Sequence, residues 1–370
     1  MIIRKPDYYD RFQCIAGECS DSCCIGWEID VDEERQAKYR AVTGELGERL
    51  RTCVDWEEGH FILQGKEERC PFLNHENLCD LIIGLGEESL CEICREHPRY
   101  YEWYDGLTEA GVGLCCEAAA RLILECEDKA GFMEVEEADD LQNAEEENED
   151  AELVSVLMKA RETAFSVLQD RKYSIWTRLS LFLAYVEELQ DALDFGNLDE
   201  IEESAEYYRE AAFEVNESND QGKISAYETI VSYCKKLEPI DELWPARLND
   251  LRDHLKDASG FLEAEKKMFD VNHERNYEYE HLAVYFVYRY FMKCRTDGDI
   301  YSKGCLAVFC ILLIRILDTV KYIENGGLSK EDRVQNAKDC SKEIEYSEEN
   351  LALLAEMFWE EGFEKIAVCL

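Results

Sequence analysis

Residues 14–27 read CIAGECSDSCCIGW, and the rest of the chain is organised around them. Four cysteines stand there at C-x4-C-x3-C-C, among Gly, Ser and Asp, with no Lys or Arg between them. Soft thiolate ligands at this density serve zinc or an iron–sulfur cluster. More follow at Cys70 and Cys79, at Cys91-x2-Cys94 and at Cys115-Cys116, so that twelve of the 18 cysteines lie in the first 126 residues. The opening MIIRKPDYYD is charged and lacks the hydrophobic region of a signal peptide, and a cytosolic chain is expected. Grouped thiols in that compartment read as metal-binding or catalytic rather than as disulfides.

Neighbouring residues point in different directions, opposite in a strand and about 100° apart in a helix. Cys23 and Cys24 therefore cannot both reach one metal without a strained turn, and the same holds for Cys115 and Cys116. Either each pair serves two sites, or one member ligates while the other packs as a small apolar residue. One four-thiolate centre with spares and two centres are both open. Only Cys91 and Cys94 have the C-x2-C spacing of a zinc knuckle. A radical S-adenosylmethionine loop needs C-x3-C-x2-C, and Gly26 stands where its third cysteine would fall after Cys19 and Cys23. Gly84 and Gly86 lack the third glycine of a dinucleotide fingerprint, and there is no P-loop and no G-x-S-x-G elbow. His75 and His97 lie near cysteines and read as surface or hydrogen-bonded residues before ligands.

Outward from the cysteines, residues 31–50 read as a helix broken at Gly44, and 56–64, WEEGHFILQ, as a short strand or hairpin arm. Pro71, Asn74 and Asn77 favour a tight turn between Cys70 and Cys79. A helix from Glu87 ends at Pro98, an aromatic patch follows at Tyr100, Tyr101, Trp103 and Tyr104, and 117–127 is again helical. From 134 to 152, 11 of 19 residues are acidic and none is basic, which marks a linker or loop and the domain boundary. Beyond it the period predicts helices at 152–171, 175–195, 199–214, 222–237, 246–268, 276–294, 299–324, 330–345 and 348–360. Gly326-Gly327 supplies a stop, and Ser329 with Asp332 a capping start. The run YEHLAVYFVYRYF at 279–291 is apolar round too much of its circumference for a surface helix and is expected in the core.

The expected fold is mainly α: a cysteine-rich metal domain with little strand at 1–133, the acidic linker at 134–152, and an all-α domain at 153–370. Acidic residues outnumber basic ones 83 to 40, a net charge of −43. That argues against nucleic acid and against an anionic membrane surface, and is compatible with a cationic partner. The longest apolar run, Cys305 to Ile314, is about half a membrane span and is closed by Arg315.

The runs FQCIAGECSDSCCIGWEIDVD, CPFLNHENLCDLIIGLGEESLCEICREHPR and LCCEAAARLIL together resemble the flagellin lysine-N-methylase (FliB-like) family, over roughly residues 10–126. Their cysteine pattern is also similar to the wider zinc- or iron-chelating cysteine domains. The resemblance implies methyl transfer from S-adenosylmethionine to flagellin lysines, with a [4Fe-4S] cluster, zinc being the alternative. By position it carries the metal ligands onto Cys14, Cys19, Cys23, Cys24, Cys70, Cys79, Cys94 and Cys116, and two family arginines onto Arg99 and Arg121. Glu117 stands where the family has proline after Cys116, and Cys53, Cys91 and Cys115 look like extras. No catalytic or cofactor-binding residue is assigned by the resemblance. Tyr100, Tyr101, Trp103 and Tyr104 could wall a lysine or sulfonium by cation–π contact, and core packing accounts for them equally well. The reading from another class is a non-enzymatic zinc- or iron-binding module that braces an interaction surface.

Overall fold

The computed structural model describes residues 2–136, 151–210 and 222–370. The chain opens with strand β1 (Ile2–Pro6). Helices α1 (Glu33–Ala41) and α2 (Gly44–Cys53) follow, then the short pair β2 (Val54–Asp55) and β3 (His60–Phe61), and the short helices α3 (Asp80–Leu85) and α4 (Glu92–Glu96). Next come β4 (Arg99–Tyr104), β5 (Leu107–Val112), α5 (Glu117–Glu125) and β6 (Phe132–Glu136). The break between α1 and α2 falls at Gly44, whose φ of 81° suits a residue without Cβ.

One mixed sheet, ordered β4-β5-β1-β6, gathers strands distant in sequence. Strand β1 runs parallel to β5, Ile3 facing Thr108, and antiparallel to β6, Ile3 facing Val135. Strands β4 and β5 form a hairpin turned at Asp105-Gly106, with Tyr100 opposite Gly111. The Tyr100 ring fills the space beside that glycine: a Cβ there would lie 2.2 Å from it. Of the expected acidic linker, 137–150 lie outside the described residues, while Glu134–Glu136 belong to the strand that pairs with β1.

The helical part comprises α6 (Ala151–Leu168), α7 (Ile175–Asp194), α8 (Leu198–Glu210), α9 (Lys223–Cys234), α10 (Trp244–Leu255), α11 (Ala258–Val271), α12 (Tyr277–Tyr290), α13 (Cys294–Asp297), α14 (Ile300–Asn325), α15 (Lys330–Glu345), α16 (Glu348–Glu361) and α17 (Glu364–Ala367). The fold is mainly α, as expected, with little strand. The single helix expected at 246–268 is two, because Asp257 caps α11 by accepting from the Gly260 N–H at 3.1 Å. The Ser329 start is a full capping box, with Asp332 N–H donating to Ser329 Oγ at 3.0 Å and Ser329 N–H to Asp332 Oδ2 at 2.9 Å.

Two cores result. A small one gathers Ile29, Val31, Tyr39, Leu50, Val54, Phe61, Phe72 and Leu81 with Cys70 and Cys91. The large one runs through the helices and also takes in Tyr8, Tyr104, Val112, Leu114 and the apolar face of α5. Helix α14 is its axis. Ten Val, Leu, Ile and Phe side chains from Leu306 to Val320 are buried there, on the order of 15–30 kcal/mol of transfer free energy before conformational entropy is subtracted. Among the described residues α14 is the one helix long and apolar enough to cross a membrane, and 89% of its apolar window lies inside the fold.

Helix α12 is a core helix, as its composition predicts, and its charged residues are buried with it. Glu280 accepts from Arg171 and Arg178. Burial works to raise its carboxyl, but the two guanidiniums outweigh that and hold it below the usual range. Glu278 meets Arg275 and Arg333, while His281 lies between the carbonyls of Ile123 and Asp128 at 2.7 and 2.8 Å. Tyr288 donates to the Arg4 carbonyl at 2.9 Å and lies 3.2 Å from that of Ala110, which fastens α12 to the sheet.

Candidate metal centre

The first cysteine group lies in a loop without regular structure apart from one short turn at Ala16–Glu18. Two anchors place the loop. At its end, the Cys70 N–H donates to the Cys24 carbonyl at 2.8 Å and Ile25 bridges Arg69, which sets Cys24 beside Cys70. In its middle, Glu117 takes the Ser20 N–H at 2.8 Å and the Ser20 hydroxyl at 2.6 Å, with the Cys19 thiol at 3.7 Å. Glu117 opens α5, so Cys116 is the residue before the helix and Cys19 is drawn towards it.

The turn between Cys70 and Cys79 forms as the asparagines predict. Asn74 Oδ1 accepts from the N–H groups of Glu76 and Leu78 at 2.9 and 3.0 Å, and Asn77 adopts a φ of 56°. Leu73 then bridges Cys79 and brings it back towards Cys70. Cys91 precedes α4, and Cys94 lies within that helix.

All eighteen cysteines are free. The eight positions carried over from the family fall into two neighbourhoods. Cys23 touches Cys24 and lies in the field of Cys14 and Cys116, and Cys116 lies in that of Cys19 and Cys14. Cys70 lies in the field of Cys24 and Cys79, and Cys94 in that of Cys91, Cys24 and Cys70. Cys91, an apparent extra in the sequence, thus joins the second neighbourhood. Cys53 packs on the small core beside Thr52, and Cys115 turns towards Tyr346. The thiol of Cys23 donates to Cys24 and, with Ser22 and Arg69, outweighs burial to lower Cys24 to about 7. Burial pushes Cys70 up to about 12. A bound cation reverses such burial costs, since the ligand is the thiolate.

Among the described residues, the only three possible ligand atoms lying mutually within 4.8 Å belong to Asp250, His254 and Glu324, of which the two carboxylates are exposed. Cys23 with Cys24 and Cys91 with Cys94 are in thiol–thiol contact, but no three thiols among the described residues close to the roughly 3.8 Å sulfur spacing that zinc bonds of about 2.3 Å impose.

Glu117, in the place of the family's proline, is what ties the cysteine loop to the helical body. Burial would raise its carboxyl, but Ser20 and Arg121 hold it down at about 2. Asp21 adds ion pairs to Lys342 at 3.0 Å and Lys338 at 3.4 Å on α15. Arg121 pairs with Glu117 at 2.8 Å, and Arg99 lies over the Phe12 ring at 5.1 Å.

The aromatic patch does not make one wall. Alternation along β4 sends Tyr100 and Tyr104 to one face and Tyr101 and Trp103 to the other. Tyr101 stacks on Trp103 and its hydroxyl donates to Glu96 at 2.9 Å, whereas Tyr100 lies under Arg289, 4.6 Å from its ring. Arg289 centres a polar cage that sequence reading missed. It donates to Tyr285 Oη at 2.8 Å and lies 3.8 Å from Glu345, while Tyr285 Oη also accepts from the Leu114 N–H at 3.0 Å. Cys115 lies in the same cage, and burial lifts its thiol to about 11. Burial and then Arg289 depress His97 to about 4, so it is neutral at physiological pH. Its ring lies 5.4 Å from that of Trp27. The signal for this cage was Arg289, the one charged residue in the run from Leu282 to Met292.

An open cleft of about 1050 Å³ lies on the small core, lined by six carboxylates, those of Asp30, Asp32, Glu33, Glu57, Glu58 and Glu92, with Arg40 and Trp56.

The FliB lysine N-methylase C-terminal domain family matches residues 161–370, more than half of the chain. The chain is similar to the lysine-N-methylase of Salmonella typhimurium strain LT2, 27% identical over 145 residues, which is 36% of this chain and 35% of that protein. The lysine-N-methylase of Salmonella choleraesuis strain SC-B67 is 26% identical over the same extent, 36% of this chain and 35% of that protein. The flagellar biosynthetic protein FliU of Salmonella muenchen is 27% identical over 134 residues, 33% of this chain and 76% of that protein. The chain thus spans about a third of the length of the two lysine-N-methylases it matches. No solved structure matches it.

Proposed function

Because this chain belongs to the FliB lysine N-methylase C-terminal domain family, we propose that it methylates protein lysines. The finer reading is methyl transfer from S-adenosylmethionine to flagellin lysines in the cytoplasm, with a cysteine-held [4Fe-4S] cluster. The observation that carries the activity is the family match over residues 161–370. The name of the FliU relative supports a flagellar substrate.

The donor set fits the cluster. The thiols are free and come from several segments, and among the described residues no three of them lie mutually within 4.8 Å as a closed zinc site requires. Cys14, Cys19, Cys23, Cys24, Cys70, Cys79, Cys94 and Cys116 are the residues that would hold metal. When bound, a four-iron cluster supplies one-electron redox chemistry.

The transfer itself needs a neutral lysine. Its Nζ lone pair forms the new N–C bond while the C–S bond of the sulfonium breaks. The C–S electron pair stays on sulfur, giving the thioether, and the methylated ammonium loses its proton to water. Desolvation lowers a lysine's pKa and so supplies the nucleophile. A chain of net charge −43 attracts a cationic lysine side chain from a distance, and its open acidic cleft concentrates that field.

The test incubates anaerobically purified, iron-loaded protein with S-adenosylmethionine and unmodified flagellin. Each methyl adds about 14 Da to the flagellin mass. No mass shift with intact, metal-loaded protein would favour the non-enzymatic metal-binding module.

A further inference from the structure

Adjacent cysteines cannot serve one metal without a strained turn, and Cys23 and Cys24, whose thiols touch each other, stand between two cysteine groups that different anchors hold. We propose that the cysteine region holds two separate metal centres. One is held by Cys14, Cys19, Cys23 and Cys116, the other by four of the five thiols of Cys24, Cys70, Cys79, Cys91 and Cys94. This rests on the reading of these cysteines as metal ligands and goes beyond it by dividing them.

Backbone geometry carries the division. The Cys24 carbonyl accepts the Cys70 N–H at 2.8 Å, Leu73 bridges Cys79, and Cys91 and Cys94 share the start of α4. All five of these residues belong to or pack on the small core. Cys116, in contrast, packs on the large core and precedes α5. The loop bearing Cys14, Cys19 and Cys23 is held against that helix by Glu117, and against α15 by Asp21. One centre therefore lies within the small cysteine-rich unit. The other lies at its joint with the family's helical body, beside the Cys115, Arg289 and Glu345 cage.

The division assigns two roles. The inner centre closes the loops of 24–94 and staples a small core that contains few large apolar residues. The joint centre cross-links the cysteine loop to α5, so its loss frees that loop and leaves the small core folded.

The experiment measures iron and acid-labile sulfide per chain in full-length protein reconstituted anaerobically with ferrous iron and sulfide, with zinc loading in parallel. Two centres give about eight irons, or two zincs, per chain. Cys14→Ser and Cys116→Ser should each lose half of the metal, and the double variant should lose no more than either. Cys24→Ser and Cys79→Ser should lose the other half, and Cys53→Ser none. Cys14 is exposed, so its variant keeps the test valid if a buried substitution unfolds the small core. Limited proteolysis of Cys14→Ser should open the 13–23 loop and spare 24–94. One centre's worth of metal in the unsubstituted protein, or total loss in both Cys14→Ser and Cys24→Ser, would overturn the division. Two centres' worth of metal with no methylation of flagellin would overturn the proposed activity and leave the division standing.

Discussion

Removing the Glu117 carboxylate should undock the first cysteine loop. In Glu117→Ala the Ser20 N–H and hydroxyl lose acceptors at 2.8 and 2.6 Å, and Arg121 loses its partner at 2.8 Å. A hydrogen bond to a charged group contributes about 1.5–3 kcal/mol. Ser20 is exposed, so water recovers part of both bonds, and about 2–3 kcal/mol remains for the pair. Arg121 is 45% exposed, so its ion pair adds within about 0–1 kcal/mol. What stays behind is Asp21 with Lys338 and Lys342, and the Ser20 contact to Gln335 at 3.2 Å. A loss of about 3 kcal/mol corresponds to roughly a hundredfold rise in the undocked population. The assay is the rate at which half-buried Cys19 and Cys116 react with a thiol reagent in metal-free protein, relative to exposed Cys14, read by mass spectrometry of the labelled peptides. Those rates should rise by one to two orders of magnitude in Glu117→Ala, and by less in Glu117→Gln, which keeps an oxygen for the Ser20 N–H. Labelling at the unsubstituted rate would show that the lysine contacts of Asp21 hold the loop by themselves.

Three further outcomes are expected. Arg161 makes a two-pronged pair with Glu109, which is 2% exposed, so Arg161→Met should cost about 3–5 kcal/mol in urea unfolding. Adding Glu109→Leu should return most of that loss, and a single-variant cost below about 1 kcal/mol would refute the reading. Glu343 is pushed up to about 7 by burial, although the Ile240 and Asp241 N–H groups oppose the rise. Its folded pKa exceeds the unfolded value of 4.5, so the folded state holds the extra proton between these pH values. Stability is thus full below 4.5 and falls as pH rises through about 7, by up to about 3 kcal/mol, and Glu343→Gln should flatten that fall relative to the unsubstituted protein. Gly111→Ala sets a Cβ 2.2 Å from the Tyr100 ring and should cost about 1–3 kcal/mol, largely restored when Tyr100→Leu is added.

The helices were legible because their signals are local. The 3.6-residue period survives in any context, and Ser329 with Asp332 or Asp257 with Gly260 act within one turn. The sheet was harder. Strand β1 is a five-residue lead-in whose partners β5 and β6 lie more than 100 residues away, and nothing within IIRKP announces them. One sheet signal was present and passed over: Asp105-Gly106 between Tyr104 and Leu107 is a two-residue hairpin turn, and reading it as such would have split the aromatic patch onto two faces. The family match falls on 161–370, outside the stretch 10–126 whose cysteines carried the resemblance, because helical packing tolerates substitution of one apolar residue by another and leaves few fixed motifs to read.

For the site, the identity of the thiols was legible and their grouping was not. The adjacency of Cys23 and Cys24 narrows the choice to two arrangements by local stereochemistry alone. Choosing between them takes one contact across 46 residues, Cys70 to Cys24, and another across 97, Glu117 to Ser20. The second explains why glutamate is workable where the family has proline. Proline suits the first position of a helix because its missing N–H is not needed there. Glutamate suits it too, since an acidic group is favoured at a helix N-terminus, and its side chain can also reach out to hold a loop. With Lys338 and Lys342 on α15 and Arg289 on α12 facing the same loop and the same Cys115-Cys116 step, the helical body is built to receive the cysteine segment at the joint. A charge reversal at Asp21, set against two lysines, should therefore disturb the thiols near Cys116 and leave those around Cys70 unchanged.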